Sequence, residues 1–361
     1  MHCSSMNKTL IIQDTIPHYR IPLFNRIGRE QNFDLTIAYD KSNKINTQDI
    51  TDFKIVSFSN QKIGRFFKIR HLRELLKRFD HIIIMADLHW LPIFILALIF
   101  KRKSKIYFWG IGISSQEGLK KKSITDKLRF LLNDISSGTI LYSSNVAEYY
   151  KENVKKKDQV FTARNTIEVQ KFAFPKGHRT KIISVGSFKK YKNLSNLIIA
   201  FYQIINKLPN NITLDFIGDG EEEKELRMLV KLHKLEQRVI FWGRKEDDVE
   251  IYPIISKAIV CVSPSQAGLA VLHSMAFGCP FLTSDDAVTG GERFYIENNV
   301  NGYFYDGTVN QLAEKILWIV RNPEENMQVA RNAYEFYHNN CNIDNYAKSF
   351  IDIIGTKTEK F

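Results

Sequence analysis

Three stretches of this sequence place glycines, joined in two of them by lysines or hydroxyls, at points where an apolar run stops. In Val185-Gly186-Ser187-Phe188-Lys189-Lys190-Tyr191-Lys192-Asn193 a glycine is followed by three lysines, just ahead of a helical pattern. Glycine lets a backbone approach a ligand closely, and compact ammonium groups beside a helix start suit a diphosphate. A second tight turn, Ile217-Gly218-Asp219-Gly220-Glu221, closes another apolar run. Over 259–280, Ile259, Val260 and Val262 give way to Ser263-Pro264-Ser265 and Gly268. Leu269, Leu272, Met275 and Ala276 then recur at helical spacing, and Gly278 and Pro280 close the helix. First-turn amides and the helix dipole at such a place point at an anion. Taken singly, each stretch also fits an ordinary strand-to-helix joint or a lysine-rich solvated loop. As three strand ends on one carboxyl edge of a sheet, they point to a nucleotide or phosphate ligand. No Gly-Lys-Ser/Thr follows a four-residue spacer, and no Gly-x-Gly-x-x-Gly follows a strand, which argues against a Walker loop and an NAD site. No Asp-x-Asp is present for a divalent metal.

The elements that must position these residues alternate. Strands are expected over 9–12, 33–38, 82–85, 106–109 and 139–142, and again over 182–185, 212–217, 239–242, 259–262 and 281–283. A helix begins near Pro22, and others are expected over 194–208, 222–233 and 249–256. Such alternation means parallel, doubly wound sheets. Around 165–176 the pattern breaks, and Pro175 and Gly177 appear. The fold class expected is α/β, with two Rossmann-like domains facing a cleft: 1–170, 178–335, and a helix in 336–361 that crosses back to the first. The loop over 14–20, with His18, Tyr19 and Arg20, and the strand end Trp109-Gly110-Ile111-Gly112 would line the first domain's side of that cleft. Residues at this edge are as often structural as functional.

With 361 residues, 44% of them hydrophobic and 25% charged, the chain is long enough for two folded cores. Four scattered cysteines (Cys3, Cys261, Cys279, Cys341) suit a reducing cytosol and no zinc or disulfide framework. The first residues lack the apolar core of a signal peptide. A net charge of +12 calls for an anionic partner. The basic clusters at 101–105, 120–122, 155–157 and 189–192 carry no recognition-helix, zinc-finger or RNA-binding signature, so nucleic acid is not expected. Over 82–100, Asp87, His89 and Pro92 rule out an uninterrupted membrane span. The helix over 91–100 and the basic amphipathic segment 66–79 are expected to lay the chain on an anionic bilayer. A core helix and a solvated face account for the same patterns.

The second half resembles the sugar-nucleotide-binding domain of retaining glycosyltransferases of family 4, which have the GT-B fold. The matches run in order: Asn165-Thr166-Ile167, Val185-Gly186 through Lys192-Asn193, Ile217-Gly218-Asp219-Gly220 and Phe241-Trp242-Gly243. Ser263-Pro264-Ser265 with Gly268-Leu269, Met275 through Pro280, and Asn301-Gly302 complete the set. They cover 165–318, and residues 17–24 resemble the opening of a bacterial polysaccharide subset of the family. The chain departs from the usual pattern in having Ser187 where an arginine is common, with Lys189 or Lys190 as the candidate for the missing charge. Ser265 and His273 stand where two glutamates are usual, as in a subset lacking that pair.

The resemblance implies a nucleotide-diphosphate-sugar donor held by Gly186, Ser187, Lys189, Asn193, Gly218, Ser265 and the amides of Gly268 and Leu269. Arg244 would lie near the base. Lys192 would stabilise the leaving diphosphate, and Glu292 or His273 would take hydroxyls of the donor. His18, Tyr19, Arg20, Gly110 and Gly112 would contact the acceptor. It further implies retention at the anomeric carbon, no cofactor, no metal, and a lipid-linked glycan acceptor of surface-polysaccharide biosynthesis at the inner face of a bacterial membrane. An epimerase of the same fold, or a non-catalytic nucleotide-sugar binder, is the alternative.

Overall fold

The computed structural model describes residues 6–43, 49–50, 52–63, 66–69, 72–99, 101, 103–114, 118–119 and 124–355. The chain divides into two compact units: residues up to Glu168 together with those from Ile343 onward, and Val169–Asn342. Each is built on one parallel sheet, whose strands are numbered here along the chain.

The first sheet comprises β1 (Asn7–Ile12), β2 (Phe33–Asp40), β3 (Lys54–Phe58), β4 (His81–Met85), β5 (Lys105–Gly110), β6 (Gly138–Leu141) and β7 (Val160–Thr162), in the order β3-β2-β1-β4-β5-β6-β7. Its inner strands are buried on both faces and so read as mostly apolar runs. Leu10, Ile12, Ile82, Ile84 and Phe108 pack on one face with the helix Leu91–Ile99. Ile11, Ile37, Ile83 and Trp109 pack on the other with the helix Ile21–Gly28. The helix Ile343–Gly355 completes that second face: Phe350 meets the Trp109 ring edge-on at 5.0 Å, and the Tyr346 hydroxyl lies 3.3 Å from Asn165 Oδ1. The crossing segment therefore starts at Ile343 rather than at 336. The preceding helix, Pro323–Asn340, is held to the second unit, where Asn326 Nδ2 donates to the Ile259 carbonyl and the Tyr334 hydroxyl to that of Phe172.

The second sheet comprises β8 (Lys181–Val185), β9 (Thr213–Ile217), β10 (Val239–Phe241), β11 (Ala258–Val262), β12 (Phe281–Ser284) and β13 (Gly302–Tyr305), in the order β10-β9-β8-β11-β12-β13. The order reverses between β8 and β11. In an open parallel sheet that is where the carboxyl ends diverge and leave room for a ligand.

Some expectations need correction. The segment 66–79 is not one amphipathic helix. Phe66–Ile69 is a strand paired antiparallel with Asn60–Ile63, as aromatic and β-branched residues favour, and only Leu72–Leu76 is helical, with Leu72 and Leu76 buried. Residues 70 and 71 of that segment, Phe100, Arg102, the 120–122 cluster and Cys3 lie outside the described residues. Strand β3 was not expected because its side chains are largely exposed and give no apolar run. Strand β13, at the Asn301-Gly302 match, has no place among the expected strands, although Tyr303 and Tyr305 are buried.

Candidate functional site

The turn after β8 and the turn after β9 interlock backbone to backbone. The Gly186 amide donates to the Ile217 carbonyl at 2.8 Å, and the Phe188 amide to that of Asp219 at 2.6 Å. Gly186, Gly218 and Gly220 have φ of +111°, +140° and +155°, a region that favours glycine. A Cβ on Gly218 would lie 2.1 Å from the Gly186 carbonyl oxygen, so the two turns meet this closely only without one. Phe188 anchors the pair, packing edge-on against Phe216 and Phe241. Sequence reasoning missed that role, although an aromatic directly after the glycine turn, amid Ser and Lys, is the signal for it.

Lys192 lies over this turn. Its side chain is buried, and a Cβ on Gly186 would come within 2.8 Å of Nζ. Among the described residues Lys192 makes no ion pair. Burial first, and then the Lys189 ammonium, pull its pKa below the ordinary lysine value, while Cys261 beneath it acts the other way. Lys189, Lys190 and Ser187 are exposed. Asn193 follows in the left-handed conformation, φ 51° and ψ 44°, and its Nδ2 donates to Ser265 Oγ at 2.6 Å. That bond ties the lysine turn to the one after β11, across the point where strand order reverses.

The β11 turn is held from below. The Pro264 carbonyl accepts from the Tyr305 hydroxyl at 2.9 Å and from the Ser284 amide at 3.2 Å. Gln266 and Ala267 then pair in parallel with Val288 and Thr289, which brings the Gly290-Gly291-Glu292 turn alongside Gly268. Gln266 Nε2 occupies the space that a Cβ on Gly268 would need, and Glu292 Oε2 the space beside Gly290. Glu292 is buried, and Thr289 Oγ1 fixes its turn by accepting from the Gly291 and Arg293 amides. Leu269 leads into the helix Ala270–Ala276, and Gly278, φ +66°, closes it. Gly186, Lys192, Asn193, Gly218, Ser265, Gly268, Leu269 and Glu292 therefore lie along one sheet edge. Gln266 belongs with them and had no motif to announce it.

Two expected donor residues are engaged elsewhere. Arg244 is exposed and paired with Glu246 at 2.5 Å. His273 Nε2 lies 2.8 Å from Asp248 Oδ1, and Asp248 Oδ2 accepts from the Gln170 amide at 2.7 Å, which fastens the segment entering this unit. Burial acts to raise the Asp248 pKa, but the bonds from His273 and the Gln170 amide outweigh it and hold the carboxyl below its ordinary value. A lowered carboxylate pKa adds stability that is complete above the unfolded value of about 3.9 and is lost as pH falls through the folded one. Asp248→Asn should therefore be less stable than the parent in urea at pH 7, with the gap narrowing below about pH 4.

In the first unit, Arg20 is 5% exposed. It donates to Gln13 Oε1 at 2.9 Å and to the Tyr142 hydroxyl at 2.7 Å, and lies 4.4 Å from the Trp109 ring centroid. It braces the loop after β1, leaving exposed His18 and half-buried Tyr19 as the groups able to meet a ligand. The space at Gly112, φ +80°, is filled by Leu141 and Tyr150, and its carbonyl accepts from the Tyr150 hydroxyl at 2.7 Å. Gly110 lies against Ala86. Both glycines serve packing.

Residues 166–336 match the family model described as Glycosyl transferases group 1. The chain is 23% identical over 178 residues to N-acetyl-alpha-D-glucosaminyl L-malate synthase of Bacillus anthracis, covering 48% of this chain and 45% of the relative. It is 26% identical over 184 residues to an uncharacterized glycosyltransferase of Haemophilus influenzae, covering 50% and 51%. The chain thus spans about half the length of these curated relatives. Among solved structures, HepE of Anabaena in complex with UDP aligns with a TM-score of 0.72 at 16% identity, covering 97% of this chain and all of the other. The lipopolysaccharide outer core galactosyltransferase WaaB aligns with 0.71 at 15%, covering 98% and all. The fold is GT-B.

Proposed function

We propose that this chain is a glycosyltransferase that moves a sugar from a nucleotide diphosphate sugar to a glycan acceptor, with retention, in the manner of family 4. The observation that carries this reading is Lys192, a buried ammonium with no ion pair among the described residues, placed over a glycine turn at the reversal point of a parallel sheet. A charge in that position needs an anion, and a diphosphate fits the adjoining turns. The group 1 match over the same unit and the UDP carried by the HepE neighbour support a nucleotide-sugar donor.

In this reading Lys192 and the Gly268 and Leu269 amides hold the diphosphate as the bond between the anomeric carbon and the phosphate oxygen breaks. The acceptor hydroxyl attacks from the same face and forms the new bond to carbon, and the departing phosphate oxygen receives its proton. Donors set in advance against a developing charge supply several kcal/mol. Glu292 binds donor hydroxyls. No metal or cofactor takes part. The acceptor is a lipid-linked glycan of surface-polysaccharide synthesis, met through His18 and Tyr19.

Thermal unfolding with UDP-, GDP-, dTDP- and CMP-sugars tests the donor. A ligand at about 100 times its dissociation constant adds roughly 2.7 kcal/mol. One nucleotide class should shift the transition, with EDTA leaving the shift intact. Absence of a shift with every nucleotide sugar would overturn the reading.

A further inference from the structure

Two helices of the first unit turn apolar side chains to solvent. In Leu91–Ile99, Ile93, Phe94 and Ala97 are buried, while Pro92, Ile95 and Ile99 form the opposite, exposed stripe. In Ile124–Ile135, Phe130 and Leu132 are buried, and Ile124, Leu131 and Ile135 are exposed, interrupted only by Lys127. Ile99 is 69% exposed and Ile124 83%, which inverts the polarity expected of a solvent face. The helices connect β4 to β5 and β5 to β6, successive neighbours in one direction across the sheet, so right-handed crossovers put both on the same face. Phe94 and Leu132 accordingly share one core cluster. The exposed stripes belong to one layer.

Basic residues rim this layer. Lys101 and Lys103 follow the first helix, and exposed Lys155 stands near the end of the second, where Asp134 is occupied by the Lys155 and Lys156 amides. Partial desolvation, and then the Lys156 ammonium, lower the pKa of Lys101. A second copy seated on this face would oppose lysine to lysine. An anionic bilayer supplies the opposite charge and takes the isoleucines into its acyl boundary.

We propose that the layer formed by Leu91–Ile99 and Ile124–Ile135 docks on an anionic lipid surface. This deepens the reading above by naming the face that would bring the protein to a lipid-linked acceptor. The second element is Ile124–Ile135, in place of the 66–79 segment that the sequence suggested. Among the described residues no helix is long and apolar enough to cross a membrane, and docking needs none.

The test is co-sedimentation with vesicles of phosphatidylglycerol and phosphatidylcholine in equal parts, against phosphatidylcholine alone. The parent should bind the anionic vesicles. Binding should fall at least about tenfold in Ile95→Gln/Ile99→Gln/Leu131→Gln and in Lys101→Glu/Lys103→Glu/Lys127→Glu. The substituted side chains are all exposed, so the thermal midpoint and its shift with nucleotide sugar should be those of the parent. Failure of the parent to bind, or equal binding by both variants, overturns the proposal. So does a parent dimer that the glutamine variant dissolves, which would make this face a contact between copies. Vesicle binding without any nucleotide-sugar shift would overturn the donor reading alone.

Discussion

Lys192→Ala is expected to lower kcat/KM for the nucleotide sugar by at least about a thousandfold while leaving the protein as stable as the parent or more so. The two effects have one cause. A buried ammonium without an ion pair costs stability in the free protein and is repaid only when an anion arrives. Its lowered pKa records the same penalty. Steady-state kinetics and thermal unfolding of the same preparation measure both effects. Lys189→Ala, at an exposed position, should change kcat/KM by less than about fivefold. If Lys192→Ala lost stability and kept its activity, the lysine would be structural and the diphosphate site would have to lie elsewhere.

Gly218→Ala should destabilise the second unit by about 3 kcal/mol or more and abolish the shift with nucleotide sugar. The new Cβ would meet backbone, the Gly186 carbonyl oxygen at 2.1 Å, and the φ of +140° already excludes most side chains. Neither turn can yield without breaking the bonds that join them, from the Gly186 amide to Ile217 and from the Phe188 amide to Asp219. Gly243→Ala is the control. Its φ is +70° and nothing lies within 4 Å of the added carbon, so only left-handed strain of about 1–2 kcal/mol is expected. Urea unfolding of the two variants separates collision from strain. Equal costs would mean that the turns repack around the methyl.

What the sequence made legible follows from how each feature is encoded. Strands β1, β4, β8 and β11 are continuous apolar runs, because a parallel sheet covered on both faces admits little else. Glycines at strand ends mark backbone that comes close to other backbone, so the approach of Gly186 and Gly218 was visible. Strand β3 and the 66–69 strand lie where polar and apolar residues mix, and there local pattern does not decide between helix, strand and loop. Side-chain destinations were the harder matter. Nothing near Arg20 in sequence says that Gln13, Tyr142 and Trp109 will enclose it, and nothing near His273 announces Asp248. Those partners come from other strands and helices, and tertiary packing alone brings them together.

The helix Ile343–Gly355 has a consequence for the order in which the protein is made. It covers Trp109 and the apolar face around it, yet it leaves the ribosome only after the entire second unit has been translated. At about 5–20 residues per second, the earlier segment waits roughly ten to thirty-five seconds with the side of Trp109 that Tyr346 and Phe350 will cover still open. The second unit is continuous and can close during that interval. Nascent chains should therefore present a sticky, unfinished first sheet beside a folded neighbour, a state in which chaperones that hold exposed apolar surface would find a binding site.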